Sequence, residues 1–211
     1  TAKAPTLAAT ANLEITGDKD SRLYVRVDSV SEPIPTKDLR IVTSWSKDVG
    51  GKIVRGGNTS YAGKSVTSYY SAEKHVNECH PVGYGPGVEK WRTYGTLDVS
   101  QHFGNYTLEA GTTFRASPYR SRPASDHPAD DRGGYGPRLD TETGSVVGEL
   151  YEYHDGANYK IGECIDSMQS ILGGNWNELR PGDVVNLKIM HTPSGKVIYD
   201  RDIVATGRSF L

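Results

Sequence analysis

RPGDVVNLKIMHTPSGKVIYDRDIVA, residues 180–205, predicts a β-hairpin together with the turn that leads into it. Val185, Leu187 and Ile189 alternate with more polar neighbours, which is the two-residue period of a strand with one buried face. The tetrapeptide TPSG predicts a turn, because proline fixes φ and glycine accepts a positive φ. The β-rich run Lys196–Val204 then returns along the first strand.

Length, charge and composition narrow the class of protein. A chain of 211 residues makes one large domain or two small ones. Its 24 basic and 26 acidic residues are scattered in small groups, so no extended basic surface for nucleic acid is expected. No apolar run of about 18 residues is present, so the sequence shows neither a membrane span nor a signal peptide.

The rest of the chain also favours strands over helices. Thirteen tyrosines and 24 glycines against three phenylalanines suit a turn-rich β surface. Alternating apolar residues predict an N-terminal hairpin over 11–15 and 22–30 and a third strand over 38–45. Apolar spacing followed by two glycines predicts one helix over 163–172. We therefore expect an all-β, immunoglobulin-like sandwich with long loops and one short helix.

Further strand candidates and loops set the domain organisation. Strands are also expected at 95–99, 106–114 and 145–153, separated by turn-rich segments. We expect residues 1–10 to be a linker and residues 11–211 a single sandwich domain with an elaborated middle at about 60–179.

The two cysteines, Cys79 and Cys164, are the only redox evidence in the sequence. An even count in a secreted chain favours a disulfide between them, and two separate buried thiols are the alternative. Asn58-Thr-Ser60 and Asn105-Tyr-Thr107 fit the acceptor pattern for N-glycosylation, which predicts two exposed sites at Asn58 and Asn105.

Aromatic residues between 61 and 94 suggest a binding surface. Trp91 and Tyr94 are the candidates for sugar contact, because aromatic rings stack on the apolar faces of pyranoses. Packing within a half-buried sheet is the alternative explanation for the same residues.

Metal ligation is weakly supported. His75, Cys79 and His80 supply three zinc ligands at most, and a bridged Cys79 would leave only two. The aspartates of the loop over 117–138 do not follow the calcium-loop pattern, and arginines stand among them. We expect no metal and no cofactor.

Catalysis is not indicated either. The Gly-x-Ser-x-Gly pattern is absent, and Glu149 and Glu152 lie an odd number of residues apart on a predicted strand, which places them on opposite faces. The polar residues of the closing hairpin, Asn186, Lys188 and His191, are expected to be solvated. We therefore expect no enzyme activity.

Two parts of the sequence carry a family resemblance. The first is Ala4-Pro5 with the strand at 11–15, followed by PIPTKDLRIV at 33–42. The second is GDVVNLKIMHTPSGKVIYD at 182–200. Together they resemble the extracellular β domain of archaeal type IV pilins and related archaeal filament subunits, over about a fifth of the chain.

The resemblance implies a location and a function. In that family a basic leader is cleaved before an apolar N-terminal helix, which anchors the subunit and packs into the filament core. That helix is absent from this sequence, so the chain resembles an ectodomain whose anchor would precede Ala4-Pro5. The implied partners are other copies of the subunit, joined through the missing helix, and surface glycans. The implied function is structural and extracellular, in adhesion or filament formation. The alternatives are a carbohydrate-binding module of a cell-surface protein and a secreted hydrolase.

Overall fold

The computed structural model describes residues 2–16, 21–62, 81–91, 98–117, 138–139, 146–147 and 167–207. The strands are β1 Leu7–Glu14, β2 Arg22–Val30, β3 Ile34–Pro35, β4 Leu39–Val49, β5 Lys52–Gly56, β6 Thr59–Tyr61, β7 Val82–Tyr84, β8 Thr107–Leu108, β9 Thr113–Ala116, β10 Arg138–Leu139, β11 Val146–Val147, β12 Val184–His191 and β13 Lys196–Val204. One α-helix, α1, covers Ser167–Leu172 within the described ranges. Short 3-10 turns lie at Thr36–Asp38, Val99–Gln101 and Trp176–Glu178.

Two antiparallel sheets form the sandwich. The first sheet has the strand order β1-β2-β9-β7, and the second has the order β13-β12-β4-β5, with β6 also paired to β4. If the sandwich strands are lettered along the chain as in immunoglobulin domains, the first sheet has the order A-B-E-D and the second has the order G-F-C-C′. The expected all-β sandwich of immunoglobulin type, with one short helix in the described part of the chain, is therefore confirmed.

The closing hairpin forms as its alternation predicts. Val185, Leu187 and Ile189 are completely buried between the sheets, and β12 pairs antiparallel with both β13 and β4. Gly195 in the turn has a φ of 68°, the conformation that this position was expected to need. Buried side chains of the first sheet, such as Val25 and Phe114, complete the core.

The expected solvation of His191 is wrong. His191 is only 7% exposed, because it continues the inward-facing series of odd-numbered residues on β12. Its Nδ1 lies 2.8 Å from Ser194 Oγ in the following turn, which gives the buried ring a polar partner. Lys188 is half-buried, and so is Asn186, whose side chain donates to Asp200 and Asp202 across the hairpin.

Several boundaries differ from the sequence-based expectations. β1 begins at Leu7 rather than at residue 11, so the last part of the expected linker belongs to the sheet. β4 continues to Val49 and turns into β5, a strand that was not predicted. Val99 begins a 3-10 turn instead of ending a strand. These strands depend on pairing with neighbours distant in sequence, which local alternation does not reveal.

One side of the sandwich is closed by backbone hydrogen bonds. The Ile15 N–H donates to the Thr206 carbonyl at 2.8 Å, and the Thr206 N–H donates to the Leu13 carbonyl at 2.9 Å. Glu14 and Thr206 form a parallel bridge, and Tyr199 of β13 reaches the Ala9 carbonyl of β1. We call this contact between β1 and the end of β13 the bridged seam.

The other side is closed by α1, all of whose residues are buried. The carbonyl groups of its last three residues, in order, accept hydrogen bonds from the side chains of Asn58, Thr43 and Trp45 of the second sheet. At its first residue, Ser167 Oγ bonds to the backbone of Ser117, which follows β9 in the first sheet. α1 therefore ties the two sheets together, and we call this region the helix seam.

Candidate functional site

The structure describes three of the six residues predicted for sugar contact, a disulfide or glycosylation. Trp91, Asn58 and Asn105 lie in the described ranges, whereas Tyr94, Cys79 and Cys164 lie outside them. The weak zinc and calcium candidates and the glutamate pair also lie outside: His75, His80, the aspartates of 126–140, Glu149 and Glu152. Among the described residues no group of three His, Cys, Asp or Glu side chains is placed to hold a metal ion.

Trp91 is held at the surface by its neighbours. Its side chain is 50% exposed, and its ring meets the Tyr84 ring edge to face with centroids 6.5 Å apart. The adjacent Lys90 backbone bonds to Ser100 in both directions, the N–H donating to Oγ at 3.0 Å and the carbonyl accepting from it at 2.6 Å. An exposed ring on an anchored backbone is suited to binding.

Trp91 is the end of a longer row of side chains across the first sheet. The Arg115 guanidinium lies 4.9 Å from the centre of the Tyr84 ring and donates to its hydroxyl at 2.9 Å. Tyr24 is the cross-strand partner of Arg115, and the Arg22 guanidinium lies 5.3 Å from the centre of the Tyr24 ring. We call this row of five residues the arginine–aromatic ladder.

Strand alternation places the ladder on the outer face of the first sheet. Leu23 and Val25 on β2 and Phe114 on β9 point into the core, so the residues between them point outward. The register then sets Tyr24 beside Arg115. Arginine, tyrosine and tryptophan bind through charge and ring contacts, and at neutral pH none of them is a ready nucleophile or general base.

The two sequon asparagines hold backbone carbonyl groups in this structure. Asn58 Nδ2 donates to the Ser170 carbonyl at 2.7 Å in the helix seam, and Asn105 Nδ2 donates to the Val99 carbonyl at 2.7 Å. Asn58 is exposed, as the sequon pattern predicts, whereas Asn105 is half-buried. Each asparagine therefore has a structural role that the sequon pattern did not indicate, and glycosylation at either site stays a prediction.

Sequence reasoning found Trp91 but missed its arginine neighbours. Arg22 belongs to β2 and Arg115 to β9, and the order of strands in the sheet brings them together. A local search of the sequence around Trp91 cannot find them. Outward positions on the predicted strand 22–30 were the only available signal, since Arg22, Tyr24 and Arg26 share one face of that strand.

Comparisons with known proteins do not assign this chain to a family. The chain matches no model of a protein family, and no individual curated protein matches its sequence. None of the helices in the described ranges combines the length and apolar character needed to cross a membrane.

Proposed function

We propose that this chain is a structural, non-catalytic extracellular domain of an archaeal type IV pilin-like subunit, acting at the cell surface or in a filament. The observation that carries the proposal is the path of the chain through the sandwich. β1 runs from Leu7 at one pole to Glu14 at the other, a distance of about 25 Å for its eight residues. Glu14 lies beside Thr206, at the end of the last strand.

This path suits a domain that is held from its N-terminal side. Any segment joined before Leu7 leaves at one pole, which we call the entry pole, and the far pole points away from it. Two apolar side chains on the outer face of the second sheet near the far pole are more than half exposed, Ile53 at 59% and Val204 at 56%. The two side chains lie on the opposite edge strands β5 and β13, so each offers a separate small apolar contact at this pole.

The segments that carry the pilin resemblance occupy structural positions. Ala4-Pro5 lies just before β1, residues 33–42 contain β3 and the start of β4, and residues 182–200 contain β12 and most of β13. They include the entry into the sandwich, the two central strands of the second sheet, β4 and β12, and its edge strand β13. The resemblance therefore concerns the framework of the domain, which supports a structural role.

Surface shaving and shearing of the cells that make the protein test this proposal. Protease added to intact cells should remove the domain, while a cytosolic protein in the same cells stays intact. In a filament subunit, shearing should release the domain into a fraction that sediments at high speed. A domain that is digested only after cell lysis would contradict the extracellular assignment, and a domain released singly would contradict the filament.

A second candidate function is recognition of saccharides, and the half-exposed Trp91 ring favours it. The indole face can cover one face of a pyranose, which is largely apolar C–H surface. Screening the folded chain against a panel of glycans tests this function. Binding that disappears in Trp91→Ala would support it, and the absence of binding to any glycan would exclude it.

A further inference from the structure

The arginine–aromatic ladder carries positive charge that its surroundings do not fully neutralise. Arg22 is paired with Glu14, with Nε 3.1 Å from Oε2. Arg115 forms no salt bridge within the described part of the chain, and neither does Arg26, which lies on the same outer face of β2. The middle of the ladder is therefore free to attract an anionic group.

The guanidinium of Arg115 is held in place while part of it stays available. Its contact with the Tyr84 ring and its hydrogen bond to the Tyr84 hydroxyl restrict the side chain. Only one of the five N–H donors of a guanidinium is used by that hydrogen bond. A restricted guanidinium loses less entropy when it binds a carboxylate in a bidentate manner.

Trp91 adds a ring surface beside this charge. It touches Tyr84, the same ring that Arg115 contacts, so Tyr84 stands between an exposed indole and a cation. A sugar ring that covers the indole would bring a carboxylate substituent toward Arg115. Stacking selects for a saccharide, and the guanidinium selects for one that is negatively charged.

A nucleic-acid strand is a poorer fit to the same surface. Strands of that kind bind through successive bases stacked on open aromatic faces. In the ladder, guanidinium groups lie over Tyr24 and over Tyr84, so their rings are already in use. Trp91 is the only ladder ring without a guanidinium over it.

We propose that the arginine–aromatic ladder binds acidic saccharides, that is, sugars that bear a carboxylate, such as uronic acids. This inference rests on the second candidate function, recognition of saccharides, and does not depend on the pilin-like assignment. The carboxylate binds at Arg115, with Arg26 adding attraction at longer range, and the pyranose face covers Trp91.

Calorimetric titration of the folded chain with short oligogalacturonates tests the inference. The matched ligand is the same oligomer with its carboxyl groups methyl-esterified, which keeps the sugar ring and removes the charge. We expect the ester to bind at least about tenfold more weakly than the acid, because the charged hydrogen bonds are lost. Binding of the acid should also weaken as salt is added.

Three variants separate binding from folding. Arg115→Gln should weaken binding of the acid about tenfold, and Arg26→Gln about threefold, because Arg26 acts at longer range. Arg201→Gln is the control, since it removes an exposed arginine 5.9 Å from the Tyr199 ring, in the second sheet. It should leave binding unchanged. Thermal unfolding of each variant shows whether the fold is intact, and Arg26→Gln gives a second reading if Arg115→Gln unfolds.

Three other binding results would contradict the proposal that the ladder binds acidic saccharides. Equal binding of acid and ester would remove the acidic class and leave saccharide recognition standing. If neither ligand binds, the ladder has only a structural role in the sheet. Oligothymidylate that binds as tightly as the acid would identify a general polyanion surface. None of these three outcomes would bear on the proposed extracellular location of the domain, because shaving of intact cells measures that separately.

Discussion

The helix seam and the bridged seam close opposite sides of the same sandwich by different physical means. In the bridged seam the backbone of Thr206 exchanges hydrogen bonds with Ile15 and Leu13, and any residue except proline at these positions could make them. In the helix seam, hydrogen bonds from particular side chains, including Thr43 and Trp45, reach the end of α1.

The difference follows from what each element leaves unsatisfied. A strand edge offers its backbone groups to any neighbouring strand, whereas the last carbonyl groups of a helix have no partner within the helix. Because α1 is buried, water cannot supply those partners, and the sheet must do so with side chains. We therefore expect substitutions in the helix seam to cost much more stability than substitutions in the bridged seam.

The largest effect is expected at Trp45, which is only 6% exposed and donates from Nε1 to the Leu172 carbonyl at 2.9 Å. Trp45→Ala should lower the free energy of unfolding by about 4 kcal/mol, because it removes a buried ring and leaves a carbonyl unpaired. Urea denaturation followed by circular dichroism measures the change. Trp45→Phe keeps most of the ring and should lose about half as much. A loss below about 1 kcal/mol in Trp45→Ala would contradict the importance of the helix seam.

The next effect concerns the close approach of backbone in the helix seam. Gly57 has a φ of 121°, and a Cβ there would lie 2.2 Å from the Thr43 carbonyl oxygen. Gly57→Ala should therefore lower the free energy of unfolding by about 3 kcal/mol, because the strained φ and the clash act together.

Gly51 is the matched control for this substitution. It also has a positive φ, 86°, but a Cβ there would meet nothing within 4 Å. Gly51→Ala should cost only about 1 kcal/mol. Equal losses in the two variants would mean that backbone strain alone, and not the packing of the helix seam, sets the cost.

The sequence predicts the fold well where a strand has one buried face. Val185, Leu187 and Ile189 predicted β12, and the apolar spacing that ends at Leu172 predicted α1. In both cases the information is local, because burial of one face imposes a period that the chain itself displays. The overall sandwich follows from several such strands.

The seams and the ladder could not be predicted in the same way. Thr43 and Ile171 lie 128 positions apart in the chain, and their hydrogen bond exists only after the sheets have formed. β1 was placed too short because Leu7 to Thr10 is rich in alanine and lacks clear alternation. The candidate site was found only at Trp91, since sheet order, not sequence proximity, brings Arg115 to it.

A smaller effect is expected from one hydroxyl in each seam. Thr43 is buried, and its Oγ1 donates to the Ile171 carbonyl and accepts from the Asn58 N–H. Thr43→Val keeps the shape and should cost about 2 kcal/mol, because it leaves buried polar groups unpaired. Thr206→Val in the bridged seam should lower the free energy of unfolding by less than about 0.5 kcal/mol, because the lost hydroxyl makes only a long hydrogen bond of 3.3 Å to the Leu13 carbonyl, which keeps its bond from the Thr206 backbone N–H. Chemical denaturation of both variants in parallel gives the comparison, and similar losses would remove the distinction between the seams.

A similarly small effect at neutral pH is expected from Tyr199, whose hydroxyl lies 3.4 Å from the Ala9 carbonyl in the bridged seam. Tyr199→Phe should lower the free energy of unfolding by less than about 1 kcal/mol at neutral pH, because the hydrogen bond is long.

Burial raises the pKa of Tyr199, and Asp28 raises it further, while Arg201 opposes the shift. By contrast, the side chains that hold α1 in the helix seam, Asn58, Thr43, Trp45 and Ser167, do not ionise in the working range of pH.

The raised pKa makes the bridged seam sensitive to alkali. The folded state keeps the Tyr199 proton to a higher pH than the unfolded chain does, so its contribution is complete below pH about 10 and declines above it. Burial also raises the pKa of Tyr106. Tyr106 is present in both the parent chain and Tyr199→Phe, so its effect on stability cancels when the two are compared. The free energy of unfolding should therefore fall more steeply above pH 10 in the parent chain than in Tyr199→Phe, as measured by denaturation at a series of pH values. Parallel curves would show that Tyr199 ionises without cost, and that alkali does not distinguish the bridged seam from the helix seam.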